Sequence, residues 1–351
     1  MTIVPTHDCN LACPYCYQTH EDKTMSQDIY ANLIKYITKN APKYRAIEIN
    51  WFGGEPLLDV ERIISFTKEI QRIAKRYHCA LIQRMTTNGY LLDYEVFSSL
   101  VRLGILYYQI TVDGPKDIHN KLRPHSNGDS FDVIIKNLKD IALKSSSNLF
   151  HISLRTNLTN LGSDKINSLI NNYAQIFGGD KRFGVDLNMA DDWGGESAKE
   201  VSFMHYQDYV AKSKEVINYI NSIGLQTQES LKSVGDMVCD AQKDHCFIVD
   251  YDGSIHKCTV AMFIDEYRDI STVGQLNSNG DMEIDDTKHI QWLFNNKEQS
   301  ACRECSILPF CMGKPCVYAV NIRGLNQCSL HSRNNPIDKV ISSIRKYKQI
   351  G

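Results

Sequence analysis

The 351-residue chain has almost no surplus of charge of either sign, since 39 Lys and Arg face 41 Asp and Glu and leave a formal charge of -2. A protein that grips nucleic-acid phosphates needs a basic excess, so that class of partner is excluded. No apolar run approaches the roughly 18 uncharged residues of a membrane-spanning helix. The opening residues, MTIVPTHDCN, have neither the basic segment nor the apolar stretch of a secretion signal. Internal repeats and low-complexity tracts are also absent. These absences predict a cytoplasmic protein with neither nucleic acid nor membrane as partner.

The chain is long enough for one large domain and a smaller one, with a core that needs no cross-links. It nevertheless holds 12 cysteines. In a chain without a secretion signal, cysteines at this density point to metal binding or redox chemistry rather than disulfides. Three fall within residues 9–16, eight within 239–328, and Cys79 stands alone between them. Cys79, at a helix end, is read as packing.

Up to about residue 225, short β-rich runs alternate with segments of helical period. Six strands are expected: Thr2 to Thr6, Ala46 to Asn50, Leu81 to Thr86, Leu106 to Val112, Phe150 to Thr156 and Phe183 to Asn188. Helices between them begin after Ser26 and Asp93, both good capping residues. Six units are too few for a closed eight-fold barrel, so the fold class expected is α/β, a partial, TIM-like (β/α)6 barrel. From residue 226 the alternation stops and Gly, Pro, Asn and Cys rise, as in a small domain stapled by metal. The expected division is 1–225 for the barrel, 226–335 for a cysteine-rich α+β domain and 336–351 for a terminal helix.

Cys9-Asn-Leu-Ala-Cys13-Pro-Tyr-Cys16 places three thiolates in one loop past the first strand. A 4Fe-4S cluster normally takes four thiolates, so three leave one iron open. Zinc completed by His7 or His20 is the alternative. Further motifs lie past the next strands: Asn50-Trp-Phe-Gly53-Gly54-Glu55-Pro, Thr86-Thr87-Asn88-Gly89, and Gln109-Ile-Thr111-Val-Asp113-Gly114-Pro115. In parallel barrels such loops open on one face and converge on one ligand.

The cysteine spacing and the order of these motifs resemble the radical SAM superfamily, over nearly the whole chain. The resemblance implies that Cys9, Cys13 and Cys16 hold a 4Fe-4S cluster whose open iron chelates S-adenosylmethionine (SAM). Reductive cleavage then gives methionine and a 5'-deoxyadenosyl radical. It further implies SAM contacts from Tyr15, Asn50, Gly53, Gly54, Glu55, Thr87, Asn88, Thr111 and Asp113. Glu55 would meet the methionyl ammonium, Thr87 and Thr111 the ribose, and Arg155, with Arg123 as second choice, the methionyl carboxylate.

The later cysteines read Cys239-x6-Cys246-x11-Cys258, then Cys302-x2-Cys305-x5-Cys311-x4-Cys316, then Cys328. Asp252-Gly253 marks a tight turn that would draw Cys246 and Cys258 together. The set resembles the SPASM domain of radical SAM enzymes that modify peptides and proteins. It departs in one place, with four residues rather than three before Cys316. By that resemblance Cys239, Cys246, Cys258 and Cys316 hold one auxiliary 4Fe-4S cluster, and Cys302, Cys305, Cys311 and Cys328 another. Zinc ribbons are the alternative.

Relatives of this kind include sulfatase maturases, which make formylglycine and carry an Asp directly after the third auxiliary cysteine. Thr259 stands there in this chain. The resemblance therefore implies a maturase that forms an oxidative cross-link, thioether or carbon-carbon, in a ribosomally made precursor peptide. Formylglycine formation and epimerisation are the alternatives within the class, and a non-catalytic zinc-stapled interaction module the alternative outside it. An external one-electron donor such as flavodoxin or ferredoxin is implied. With the first strand beginning at residue 2, leader recognition is expected from a separate protein or from another surface. Asp186, Asn188 and Trp193 are candidate substrate-side residues.

Overall fold

The computed structural model of the chain describes residues 1–193, 201–227, 239–293, 316–318 and 322. Six strands run parallel in chain order: β1 (Thr2–Ile3), β2 (Ala46–Trp51), β3 (Ala80–Thr87), β4 (Ile105–Thr111), β5 (His151–Leu158) and β6 (Phe183–Met189). Between them lie α1 (Gln27–Asn40), α2 (Val60–Arg76), α3 (Tyr94–Arg102), α4 (Lys116–Leu122), α5 (Ser130–Lys144) and α6 (Ser163–Phe177), and α7 (Tyr206–Ser222) follows β6. This is the partial (β/α)6 barrel expected. Ser26 caps α1 by accepting from the Ile29 amide, and Asp93 caps α3 by accepting from the Val96 amide.

Alternation along each strand separates two faces. Ile49, Trp51 and Met85 are buried against the helices, where Trp51 meets Phe66 of α2 at 5.6 Å between ring centroids. The other face is polar and partly open to solvent. There Arg84 Nε donates to Glu48 (2.8 Å) and Arg155 Nη1 to Gln109 (3.3 Å).

The first strand is shorter than the Thr2 to Thr6 expected. Pro5 has no amide to give the ladder, and Thr6 instead forms an antiparallel bridge with Thr24. Among the described residues the sheet also does not stop at β1. Four further strands, β7 (Ile248–Val249), β8 (Ser254–His256), β9 (Thr272–Leu276) and β10 (Met282–Ile284), extend it on that side in the order β10-β9-β8-β7-β1. β7 is parallel to β1, and the remaining pairs are antiparallel. Helices α8 (Asp265–Ser271) and α9 (Asp286–Leu293) accompany them. A small second core gathers Ile255, Val273, Trp292, Val317 and Tyr318. We propose the division at 225/226 on this change from parallel βα units to an antiparallel meander. The expected helix at 336–351 lies outside the described residues, as do Cys302, Cys305, Cys311 and Cys328.

Candidate active site

The cysteine loop leaves β1 and lies directly on the turn after β2. The Gly54 amide donates to Thr6 O (3.0 Å) and the Glu55 amide to Asp8 O (2.8 Å). A Cβ on Gly53, whose φ is +136°, would stand 2.5 Å from Thr6 O, and one on Gly54 would overlap the Asp8 carbonyl. The close approach these glycines permit is therefore that of the cysteine loop itself. Burial pushes the thiols of Cys9 and Cys13 up to about 12, with neighbouring thiols adding to it, and it raises Cys16 as well. Thiols so disposed become thiolates only beside positive charge, which bound iron supplies. Among the described residues no three His, Cys, Asp or Glu side chains surround a single-ion position.

Glu55 is fully buried and accepts from Thr87 Oγ1 (2.6 Å), the Asn88 amide (2.7 Å) and the Leu57 amide (3.0 Å). Burial raises its pKa in spite of these donors. A buried carboxylate without a cation is costly, so the site favours an ammonium ligand. The Thr87 hydroxyl donates to Glu55 and so helps hold the acid in place. Asn88 Nδ2 donates to Asn10 Oδ1 (2.7 Å) and lies 3.9 Å from Cys9 Sγ. The sequence reading missed Asn10; its place directly after Cys9 was the available signal.

Tyr15, Asp113 and Arg123 form one buried unit. Tyr15 donates to Asp113, Arg123 Nη1 donates to the Tyr15 oxygen (2.6 Å) and stands 3.5 Å from Asp113 Oδ2. The Asn157 amide donates to the other Asp113 oxygen (2.8 Å). Arg123 is thus already neutralised. Among the described residues Arg155 instead donates to the neutral Asn157 (3.0 Å) and Gln109 (3.3 Å), with no carboxylate in ion-pair contact. Thr111 is buried at the end of β4.

Several buried polar atoms around this face have no partner among the described residues: Asn10 Nδ2, Asn50 Oδ1, Arg123 Nε and Asn188 Nδ2. Orphaned groups of this kind ask for a polar ligand. With the three thiols and Glu55, they fit a cluster with a bound amino acid group. Asp186 and Asn188 lie on β6, in register with Arg155 and Asn157. Trp193 packs against the second core, and its carbonyl accepts from Tyr318 (2.8 Å).

The second cysteine group sits at the open end of the β7–β8 hairpin, turned by Gly253 at φ +81°. Burial pushes Cys258 up to about 12, and the Cys316 and Cys239 thiols lie near enough to add to it. Lys257 reaches the Cys246 carbonyl (2.7 Å). A buried network ties the two regions together. His7 Nε2 and Arg268 Nη2 each stand 2.7 Å from Asp250, which has no exposed surface. Cys79 is buried after α2 and, among the described residues, has no polar partner beyond the Ala80 carbonyl.

Residues 3–152 match the family profile described as Radical SAM superfamily. The chain is 21% identical over 330 residues to the cysteine-type anaerobic sulfatase-maturating enzyme of Clostridium perfringens, covering 87% of this chain and 85% of that one. Among solved structures, anSMEcpe with bound AdoMet and Cp18Cys peptide has a TM-score of 0.64 at 19% identity, over 89% of this chain and 87% of that one. Streptococcus suis SuiB bound to precursor peptide SuiA has a TM-score of 0.66 at 15% identity, over 91% and 72%. Residues 3–152 carry a radical SAM domain, and the chain is an enzyme. No helix among the described residues is long and apolar enough to cross a membrane.

Proposed function

We propose that this enzyme reductively cleaves SAM and oxidatively cross-links a ribosomally made precursor peptide, through a thioether or a carbon-carbon bond. The observation that carries the first half is the convergence on one end of the barrel of the cysteine loop, buried Glu55 and Arg155, whose hydrogen bonds among the described residues go to neutral amides. A 4Fe-4S cluster with bound SAM would supply a 5'-deoxyadenosyl radical there. Cys9, Cys13 and Cys16 would hold the cluster, Glu55 the methionyl ammonium and Arg155 the methionyl carboxylate. Thr87 and the Asn88 amide keep Glu55 aimed, while Asp113 anchors the cysteine loop through Tyr15.

The peptide substrate is supported by the bound peptides named for anSMEcpe and SuiB, whose fold this chain shares. Cross-linking rather than formylglycine formation is favoured by Thr259 directly after Cys258, which has no carboxylate to act as base. The nearby Asp250 carboxylate is held between His7 and Arg268. Asp186 and Asn188 face the interior beside Arg155 and would meet the peptide. Two auxiliary 4Fe-4S clusters would pass on the electron released when a substrate radical becomes product, and flavodoxin or ferredoxin would deliver the first one. An extended leader would add to β10, the outer strand among the described residues, or be brought by a separate protein.

The test is the mass of the precursor peptide, taken from a neighbouring reading frame, after anaerobic reaction. Loss of two hydrogen atoms, with fragment masses and an aldehyde-reagent control that place a bond between two residues and no carbonyl, supports the proposal. Unchanged mass with solvent deuterium incorporated means epimerisation, and a Cys or Ser converted to formylglycine means sulfatase-type maturation; either overturns it.

A further inference from the structure

Beside the second cysteine group, one lysine is buried where a chain normally places none. Lys257 is 3% exposed, yet its Nζ lies 2.7 Å from Lys243 O, 2.7 Å from Cys246 O and 3.4 Å from His289 Nε2. It also stands 4.8 Å from the centroid of the Phe247 ring. Two carbonyl oxygens, one imidazole nitrogen and an aromatic face can each receive a donor or a positive charge, and together they describe the site of an ammonium. The lysine precedes Cys258 directly and clamps the carbonyl of Cys246, so its charge is held beside one of the cysteines assigned to the first auxiliary cluster.

We propose that Lys257 is the positioning residue that raises the reduction potential of this auxiliary site. The inference rests on the functional reading above, in which the site accepts an electron. Reduction adds negative charge, and a buried cation stabilises the more negative state. Asp240 and Asp244 also lie near, but both are exposed and screened by water and salt, whereas Lys257 is not. In the step served, one electron passes from the substrate radical to the oxidised site and one proton leaves the substrate for solvent. The product bond closes with no further oxidant. The higher the potential of the site, the more completely that electron is taken.

The test is a redox titration of the auxiliary signals by electron paramagnetic resonance, on anaerobic holoenzyme with iron and sulfide counted. Lys257→Met with full iron should show one auxiliary midpoint moved to a more negative potential and the SAM-binding cluster unmoved. Full iron with every midpoint unmoved overturns the proposal. If the Met variant loses iron, Lys257→Arg decides. Iron retained there at the wild-type potential supports the role of charge, and iron lost there too overturns it in favour of packing alone. Wild-type protein with only about four irons per chain that still makes 5'-deoxyadenosine would remove the auxiliary site itself, and with it the reading above.

Discussion

The barrel and the cysteine-rich extension build their sites in opposite ways. In the barrel, Cys9 to Cys16 lie on a turn locked by backbone hydrogen bonds, and the polar groups around them are held by strand ends. A core of many large side chains from β1 to β6 and their helices supports that arrangement. In the extension, short strands and a core of a few residues carry Cys239, Cys246, Cys258 and Cys316. If the proposed auxiliary cluster binds there, its ligands would supply part of the fold, as in other small metal-stapled domains. The first site rests on a large core, whereas the second has only a small one behind it.

That contrast is sharpest when one cysteine is removed from the extension. Cys258→Ala should leave SAM cleavage near wild type but end peptide modification, as read by 5'-deoxyadenosine and peptide mass from one reaction. Loss of both activities would mean that the two regions are not separable. Glu55→Gln should weaken SAM binding by about 100-fold, within the ~2–5 kcal/mol typical of truncating one member of a buried charged pair. Equilibrium binding to reconstituted protein measures this. An unchanged affinity would free Glu55 from the ammonium.

The next effect is mechanical. Gly54→Ala should cost the barrel about 1–3 kcal/mol, because the new methyl group meets the Asp8 carbonyl. Denaturant unfolding of the barrel transition reports it, and a neutral result would show that the two loops are less tightly packed than described.

The smallest effect is a pH dependence centred on His119. Its ring is fully buried, its Nδ1 accepts from the Asp113 amide (3.3 Å), and burial first, then Arg123, push its pKa down to about 3. The folded state therefore keeps it neutral while the unfolded chain protonates near pH 6.5. Its contribution is fully present above that pH and is lost as pH falls toward 3, at a limiting slope of about 1.4 kcal/mol per pH unit. His119→Asn should flatten the loss between pH 7 and 5.5 in urea unfolding. An equal loss in both proteins would assign the acid sensitivity elsewhere.

Much of the barrel was legible in the sequence because its signals are local. Ser26 and Asp93 announce helix starts, alternation marks β2 to β6, and the cysteine spacing is contained within one loop. What was not legible depends on residues far apart in the chain. The ion pair of His7 with Asp250 spans 243 residues, and the pairing of β7 with β1 follows from no periodicity. Thr87 was assigned a ligand contact because its hydroxyl lies at a strand end, but only the fold shows Glu55 claiming it. Likewise, the sequence already put Arg155 ahead of Arg123, but it could not show that Asp113 pairs with Arg123.

The central claim is that Cys9, Cys13 and Cys16 generate a radical from SAM. Anaerobically reconstituted enzyme given SAM and a strong reductant should form 5'-deoxyadenosine, and Cys13→Ala should form none while keeping its auxiliary iron. Cleavage retained in that variant, or stoichiometric zinc without sulfide in the wild-type protein, would contradict the account.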